Sequence, residues 1–142
     1  MPGSAPPAGR ALAALRPAAI DRLEIRSDPV KGRGIFATAP IAAGAVIAMT
    51  PVIIVPAAQC PLLNKTILHD YYFHWDGDAG GAGRGAVPLG LVALCNHSKR
   101  PRARVRRNFA QDTLDLMALQ PIAAGEEVTI DYNCPLWFDA QD

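Results

Sequence analysis

The chain has 142 residues, half of them apolar and 19% charged, which predicts one globular domain with its own core and excludes a disordered polypeptide. No apolar run reaches the ~18 residues that a membrane span needs; the longest, Ala45 to Ala58, is shorter and carries Pro51 and Pro56. The net charge of +1 averages two opposed patches, six bases without an acid over 99–107 and seven acids without a base over 108–142. Three scattered cysteines, Cys60, Cys95 and Cys134, argue against a disulfide framework or a structural zinc site and fit a reducing, intracellular compartment.

Residues 1–19 are rich in Ala, Pro and Gly and are expected to form a flexible tail without a secretory h-region, ahead of a domain over 20–142. Leu23 and Ile25 alternate with Glu24 and Arg26 as on a half-buried strand, and Ser27-Asp28-Pro29 predicts a turn. After Lys31-Gly32-Arg33-Gly34, Ile35-Phe36-Ala37 predicts a second strand. Val46 to Met49 and Val52 to Val55 predict two strands broken by Pro51. A short helix is expected from Leu62 to His69, then an aromatic stretch, then a flexible loop over 76–86. Arg102 to Arg106 alternates strictly. Leu114, Leu116 and Leu119, with Asp112 and Asp115, predict another strand, and Val128 to Ile130 the last. No long helical period occurs, so the fold class is mainly β.

Two segments echo each other: Ala39-Pro40-Ile41-Ala42-Ala43-Gly44 and Gln120-Pro121-Ile122-Ala123-Ala124-Gly125. Each starts on Pro, closes on Gly and precedes a β-rich run, which predicts two similar corners between strands.

Three short motifs carry chemistry. In Gly32-Arg33-Gly34, two glycines let a ligand approach the backbone or supply a tight turn; neither GxGxxG opening a helix nor a phosphate-binding GxxxxGK[ST] is present. Asn96-His97-Ser98 ends an apolar run and offers donors and acceptors suited to a purine or an amino-acid zwitterion, or forms a polar turn. Cys95 beside His97 is weak ground for a thiol nucleophile, because catalytic Cys and His are normally neighbours in space, not in sequence. Gly125-Glu126-Glu127-Val128-Thr129-Ile130-Asp131-Tyr132 runs from a turn glycine along a β-branched strand to a tyrosine that could orient an amine or simply pack in the core.

In order and spacing these motifs resemble the SET-domain family of protein-lysine methyltransferases. Lys31-Gly32-Arg33-Gly34-Ile35-Phe36-Ala37 matches the family's opening pattern, and both Pro-Ile-x-x-Gly corners are family-like; the resemblance spans about 22–133. It implies several small curled antiparallel sheets, little helix, and a C-terminal pseudoknot that brings Asn96 and His97 beside the Tyr132 strand. It also implies S-adenosylmethionine as methyl donor and a lysine-bearing protein or peptide as substrate, histone-like or otherwise basic. By resemblance, Lys31, Gly32, Arg33, Gly34, Asn96, His97 and Tyr132 bind the donor. Tyr132, with Tyr71 or Tyr72, lines the channel where donor and lysine meet.

Departures from the family pattern are clear. Ala93 stands where an arginine is frequent, and the NHSCxPN continuation reads Asn96-His97-Ser98-Lys99-Arg100-Pro101-Arg102. With only Cys134 after the tyrosine, no zinc is expected; Trp137 and Phe138 are expected to close the donor site instead. The basic stripe, with Arg102, Arg104 and Arg106 on one strand face, is either a solvated face or a phosphate-contacting surface. Two alternatives therefore stand beside the enzyme: a nucleic-acid-binding module and a silent SET-like peptide binder. A homodimer, no membrane association, and a cytoplasmic or chromatin location complete the expectations.

Overall fold

The computed structural model describes residues 20–77 and 83–132; the expected tail over 1–19 lies outside them. A hairpin opens the fold, β1 (Leu23–Asp28) pairing antiparallel with β2 (Gly32–Ala37) from Leu23↔Ala37 to Asp28↔Gly32. The reversal follows Asp28, whose carboxylate accepts the backbone N–H groups of Val30 and Lys31 at 2.7 and 3.0 Å, an Asx turn. Two expectations shift here. Gly32, Arg33 and Gly34 lie within β2, not in a turn before it, and Ile25 is largely exposed.

β3 (Val46–Val55), β4 (Phe73–His74), β5 (Gly85–Pro88), β7 (Ala103–Asn108) and β8 (Thr113–Ala118) form a five-stranded sheet in the order β4-β5-β3-β8-β7. β3 runs unbroken through Pro51, contrary to the expected break. Its first half, to Pro51, pairs with β8 along one edge, and Val52 to Val55 pairs with β5 along the other. Pro51, which has no N–H to give, sits where the partner changes, and its carbonyl accepts from Leu89 N at 2.9 Å.

The expected helix from Leu62 to His69 is also divided. One short α-helix, α1 (Cys60–Leu63), is followed by a separate 3-10 turn, Ile67–Asp70. Thr66 separates them: its hydroxyl donates to Leu63 O at 2.8 Å and accepts from Leu68 N at 3.1 Å, ending one turn and capping the next. The expected loop over 76–86 contains the start of β5. A Cβ on Gly85 would stand 2.8 Å from the Tyr72 ring, so glycine there lets an aromatic ring lie on the strand. Leu119 falls beyond β8 and is 49% exposed.

The echoed segments face each other. Ile41 and Ile122 exchange backbone hydrogen bonds at 2.8 and 2.9 Å, and both side chains are buried. Finally β6 (Asn96–His97) pairs in parallel with β9 (Thr129–Ile130), which lays the C-terminal motif beside Asn96 and His97, as the resemblance implied. The core gathers Ile35, Ile47, Trp75, Val92, Leu114, Leu116, Ile122 and Val128 from nearly every element. Among the described residues no helix is long and apolar enough to cross a membrane.

Candidate functional site

β6 and β9 bring the second and third motifs together. Tyr132 N donates to His97 Nδ1 at 2.9 Å, so that nitrogen acts as the acceptor. Asp131 Oδ1 stands 3.5 Å from the same atom, too far to compete. The Tyr132 ring lies 5.4 Å from the His97 ring, tilted by 40°, and its hydroxyl donates to the Cys95 carbonyl. Burial pushes the Tyr132 phenol up, with smaller contributions from Cys95, Tyr71, Glu127 and Asp70. The ring is nevertheless 49% exposed, so the phenol is neutral, held at its hydroxyl and open along one side.

The first motif joins from β2. Asn96 Nδ2 donates to Arg33 O at 3.1 Å and to Glu127 Oε2 at 2.7 Å. The other carboxylate oxygen, Glu127 Oε1, accepts from Lys31 Nζ at 2.9 Å. A Cβ on Gly34 would lie 2.6 Å from Glu127 Oε2 and 2.7 Å from Asn96 Nδ2. Gly32, at φ +82°, has open space where its Cβ would stand. Gly34 therefore admits side chains against the backbone, whereas Gly32 and Arg33 are exposed residues, the Arg33 carbonyl already accepting from Asn96.

Beyond Tyr132 lies a cavity of about 640 Å³, lined in part by Tyr71, Tyr72, Val92, Cys95, Arg104 and Tyr132. Tyr72 also reaches a second cavity of about 420 Å³ with Cys60, Asn64 and Arg84, where its hydroxyl donates to Asn64 Oδ1 at 2.7 Å. Both tyrosines left open by the sequence line the first cavity, and only Tyr72 reaches the second as well. Cys95 is fully buried, and desolvation pushes its thiol up to about 12, which rules it out as a thiolate nucleophile at neutral pH.

Sequence reasoning placed Lys31, Gly32, Arg33, Gly34, Asn96, His97 and Tyr132 in one site, and the fold does bring these residues into one neighbourhood. Lys31 enters it through an ion pair and Arg33 through its carbonyl. Trp137, Phe138 and Cys134 lie outside the described residues. Glu127 was missed: it sits inside the quoted Gly-Glu-Glu run, but nothing in that run marks which acid turns inward. The basic stripe is not simply solvated. Arg102 donates to Glu127 O at 3.0 Å, Arg106 to Asp115 Oδ2 at 3.0 Å, and Arg107 to Trp75 O at 3.0 Å.

Residues 32–133 match the SET domain. The chain belongs to the SET-domain family of protein-lysine methyltransferases. It is 30% identical over 118 residues to a Schizosaccharomyces pombe protein named histone-lysine N-methyltransferase, H3 lysine-37 specific, a match covering 82% of this chain and 77% of that protein. Its fold is similar to the crystal structure of a Plasmodium falciparum protein proposed to be a histone methyltransferase, with a TM-score of 0.58, 23% identity, and coverage of 78% of this chain and 96% of that one. The small antiparallel sheets of this mainly β chain are consistent with the SET fold.

Proposed function

We propose that this SET-domain enzyme transfers a methyl group from S-adenosylmethionine to the side-chain amine of a lysine in a basic protein of the histone class, inside the cell, with 20–142 as the SET domain. The observation that carries the proposal is the chain of contacts from the Arg33 carbonyl to Asn96 and from His97 to Tyr132, which itself lines the 640 Å³ cavity. The residues suit the donor: an exposed glycine at position 32, without a side chain to block approach, and half-buried amide and imidazole groups match an amino-acid zwitterion and a purine.

When bound, the donor supplies a methyl group on a cationic sulfur. The chain's own part is orientation and control of the proton. A free lysine, with a pKa near ~10.4, is mostly protonated at neutral pH. An apolar channel lined by Tyr71 and Tyr132 favours the neutral amine by desolvation. With the donor held by Gly32, Asn96 and His97, the neutral amine beside Tyr71 and Tyr132 would accept the methyl group as the C–S electron pair returned to sulfur, and the resulting ammonium would lose a proton to solvent before any further round. The tyrosine faces hold the lysine stem and the methylammonium product through cation–π attraction. Because Tyr132 OH is already committed to Cys95 O, its ring stands in a fixed orientation.

The test is incubation with labelled S-adenosylmethionine and a panel of basic proteins, read by mass spectrometry. A mass gain of one or more methyl groups on lysine is expected, reduced about a hundredfold in rate by Tyr132→Phe through lost positioning. Donor binding without transfer to any panel member would favour a silent peptide binder. No donor binding at all would remove the enzymatic reading.

A further inference from the structure

We propose that Glu127 is the positioning residue of the donor site: its carboxylate, balanced by Lys31, fixes the Asn96 amide so that Oδ1 is presented to the donor as an acceptor. This rests on the donor reading above and adds a residue that the motifs did not single out.

An asparagine amide can turn over, exchanging a donor NH2 for an acceptor oxygen. Here both neighbours are acceptors only. Asn96 Nδ2 has two hydrogens, and Arg33 O at 3.1 Å and Glu127 Oε2 at 2.7 Å take them. Turned over, the amide would press its oxygen against a carbonyl and a carboxylate. One orientation is therefore selected, and the atom it leaves for a ligand is Oδ1. That suits a ligand ammonium or exocyclic amine and opposes a carboxylate.

Glu127 is itself held on every side. Its side chain is only 10% exposed. Its backbone bridges Phe36, the next residue's N–H bonds Ile35 O at 2.8 Å, and Arg102 donates to its carbonyl. Lys31 occupies Oε1, so the carboxylate is neither unpaired nor free to swing. Gly34 leaves the room: any side chain there would collide with both partners. Three segments far apart in sequence thus meet on one carboxylate.

Glu127→Gln tests this, because a glutamine can turn its own NH2 toward Asn96 and release the selection. Calorimetric titration of the full chain with S-adenosylmethionine is expected to show donor affinity about tenfold weaker or worse, the range for a lost hydrogen bond to a charged group. Because Glu127 acts through Asn96, adding Asn96→Ala to Glu127→Gln is expected to cost nothing further. In the opposite sense, N96D alone sets two carboxylates together, and N96D/E127Q is expected to bind better than N96D, a rescue that a merely structural Glu127 does not produce. If Glu127→Gln fails to fold, Glu127→Asp, one methylene short of Asn96, is read in its place and should show the same loss. Wild-type affinity in the folded variant, multiplying losses in the double variant, or no rescue each overturns the inference alone. Failure of the unmodified protein to bind the donor overturns the donor site, and this inference with it.

Discussion

Gly34 and Gly44 show two different demands that one residue type can answer. Gly44 has φ +81° with open space around its missing Cβ, so alanine there meets only the left-handed backbone penalty. Gly34→Ala instead drives a methyl into Glu127 and Asn96. Gly44→Ala is therefore expected to lower stability by about 1–2 kcal/mol with donor affinity unchanged, while Gly34→Ala lowers donor affinity at least ~10-fold, as expected when a charged contact is broken. Urea unfolding and calorimetric titration of both variants distinguish them. Cys95 answers to pH. Its folded value, about 12, lies above that of an unfolded thiol, roughly 8.5. The folded state thus holds its proton more tightly, and the resulting stability is complete below that unfolded value and disappears as pH rises through about 12. The phenol of Tyr132, also raised, works in the same direction. Urea midpoints should fall as pH is raised from about 9 to about 11, and Cys95→Ala, though less stable at neutral pH, should show a flatter decline.

The β7–β8 hairpin carries a charge in the core. Asp115 is fully buried and accepts from Thr113 Oγ1 at 2.7 Å, Arg106 Nη2 at 3.0 Å and Asn108 Nδ2 at 3.0 Å. Arg106 stands directly across the ladder. Asp115→Asn removes the charge opposite the Arg106 guanidinium and weakens the acceptor shared by Arg106 and Asn108, which is expected to cost about 2–4 kcal/mol, measured by urea unfolding. The strand itself was legible in the sequence from Leu114 and Leu116. The burial of Asp115 between them was not, because alternation assumes one wet face and this sheet is covered on both sides of β8. Similar limits explain the other element-level differences. Pro51 reads as a break when a strand is taken to keep one partner, but β3 changes partners there. Thr66 reads as an ordinary helix residue until its hydroxyl is seen bonding in both directions. Gly85-Ala86 reads as loop because only the Tyr72 ring lying on it explains the glycine.

At the scale of the molecule, the order of the three motifs was legible and their meeting was not derivable from periodicity. A two-residue parallel ladder between β6 and β9 has no hydrophobic period to announce it, and the Ile41–Ile122 contact shows in sequence only as a repeat. Charge is redistributed by the same folding. The basic stripe that dominates the linear sequence is partly neutralised without being buried: Arg106, still exposed, is paired with Asp115, Arg102 lies 3.6 Å from Glu126, and Arg107 bonds Trp75 O. The acids and the arginine that line the 640 Å³ cavity are Asp70, Asp131 and Arg104 from β7. A basic peptide approaching Tyr132 thus meets two attractive carboxylates and one repulsive guanidinium, all near solvent, where screening acts strongly. Raising salt from about 50 to about 300 mM shortens the Debye length roughly from 14 to 6 Å and should raise KM for a lysine-bearing basic peptide several-fold, leaving kcat nearly constant, because the long-range attraction contributes to encounter and not to the chemical step. Arg104→Ala should lower KM at low salt by removing the opposing charge. A surface built for nucleic acid predicts the reverse for that residue: its loss would weaken DNA binding and flatten the salt dependence of that binding, with peptide KM untouched. Steady-state methyl transfer across the salt series, with both proteins, separates the two, and a KM that rises in Arg104→Ala would show that the cavity wall serves an acidic and not a basic ligand.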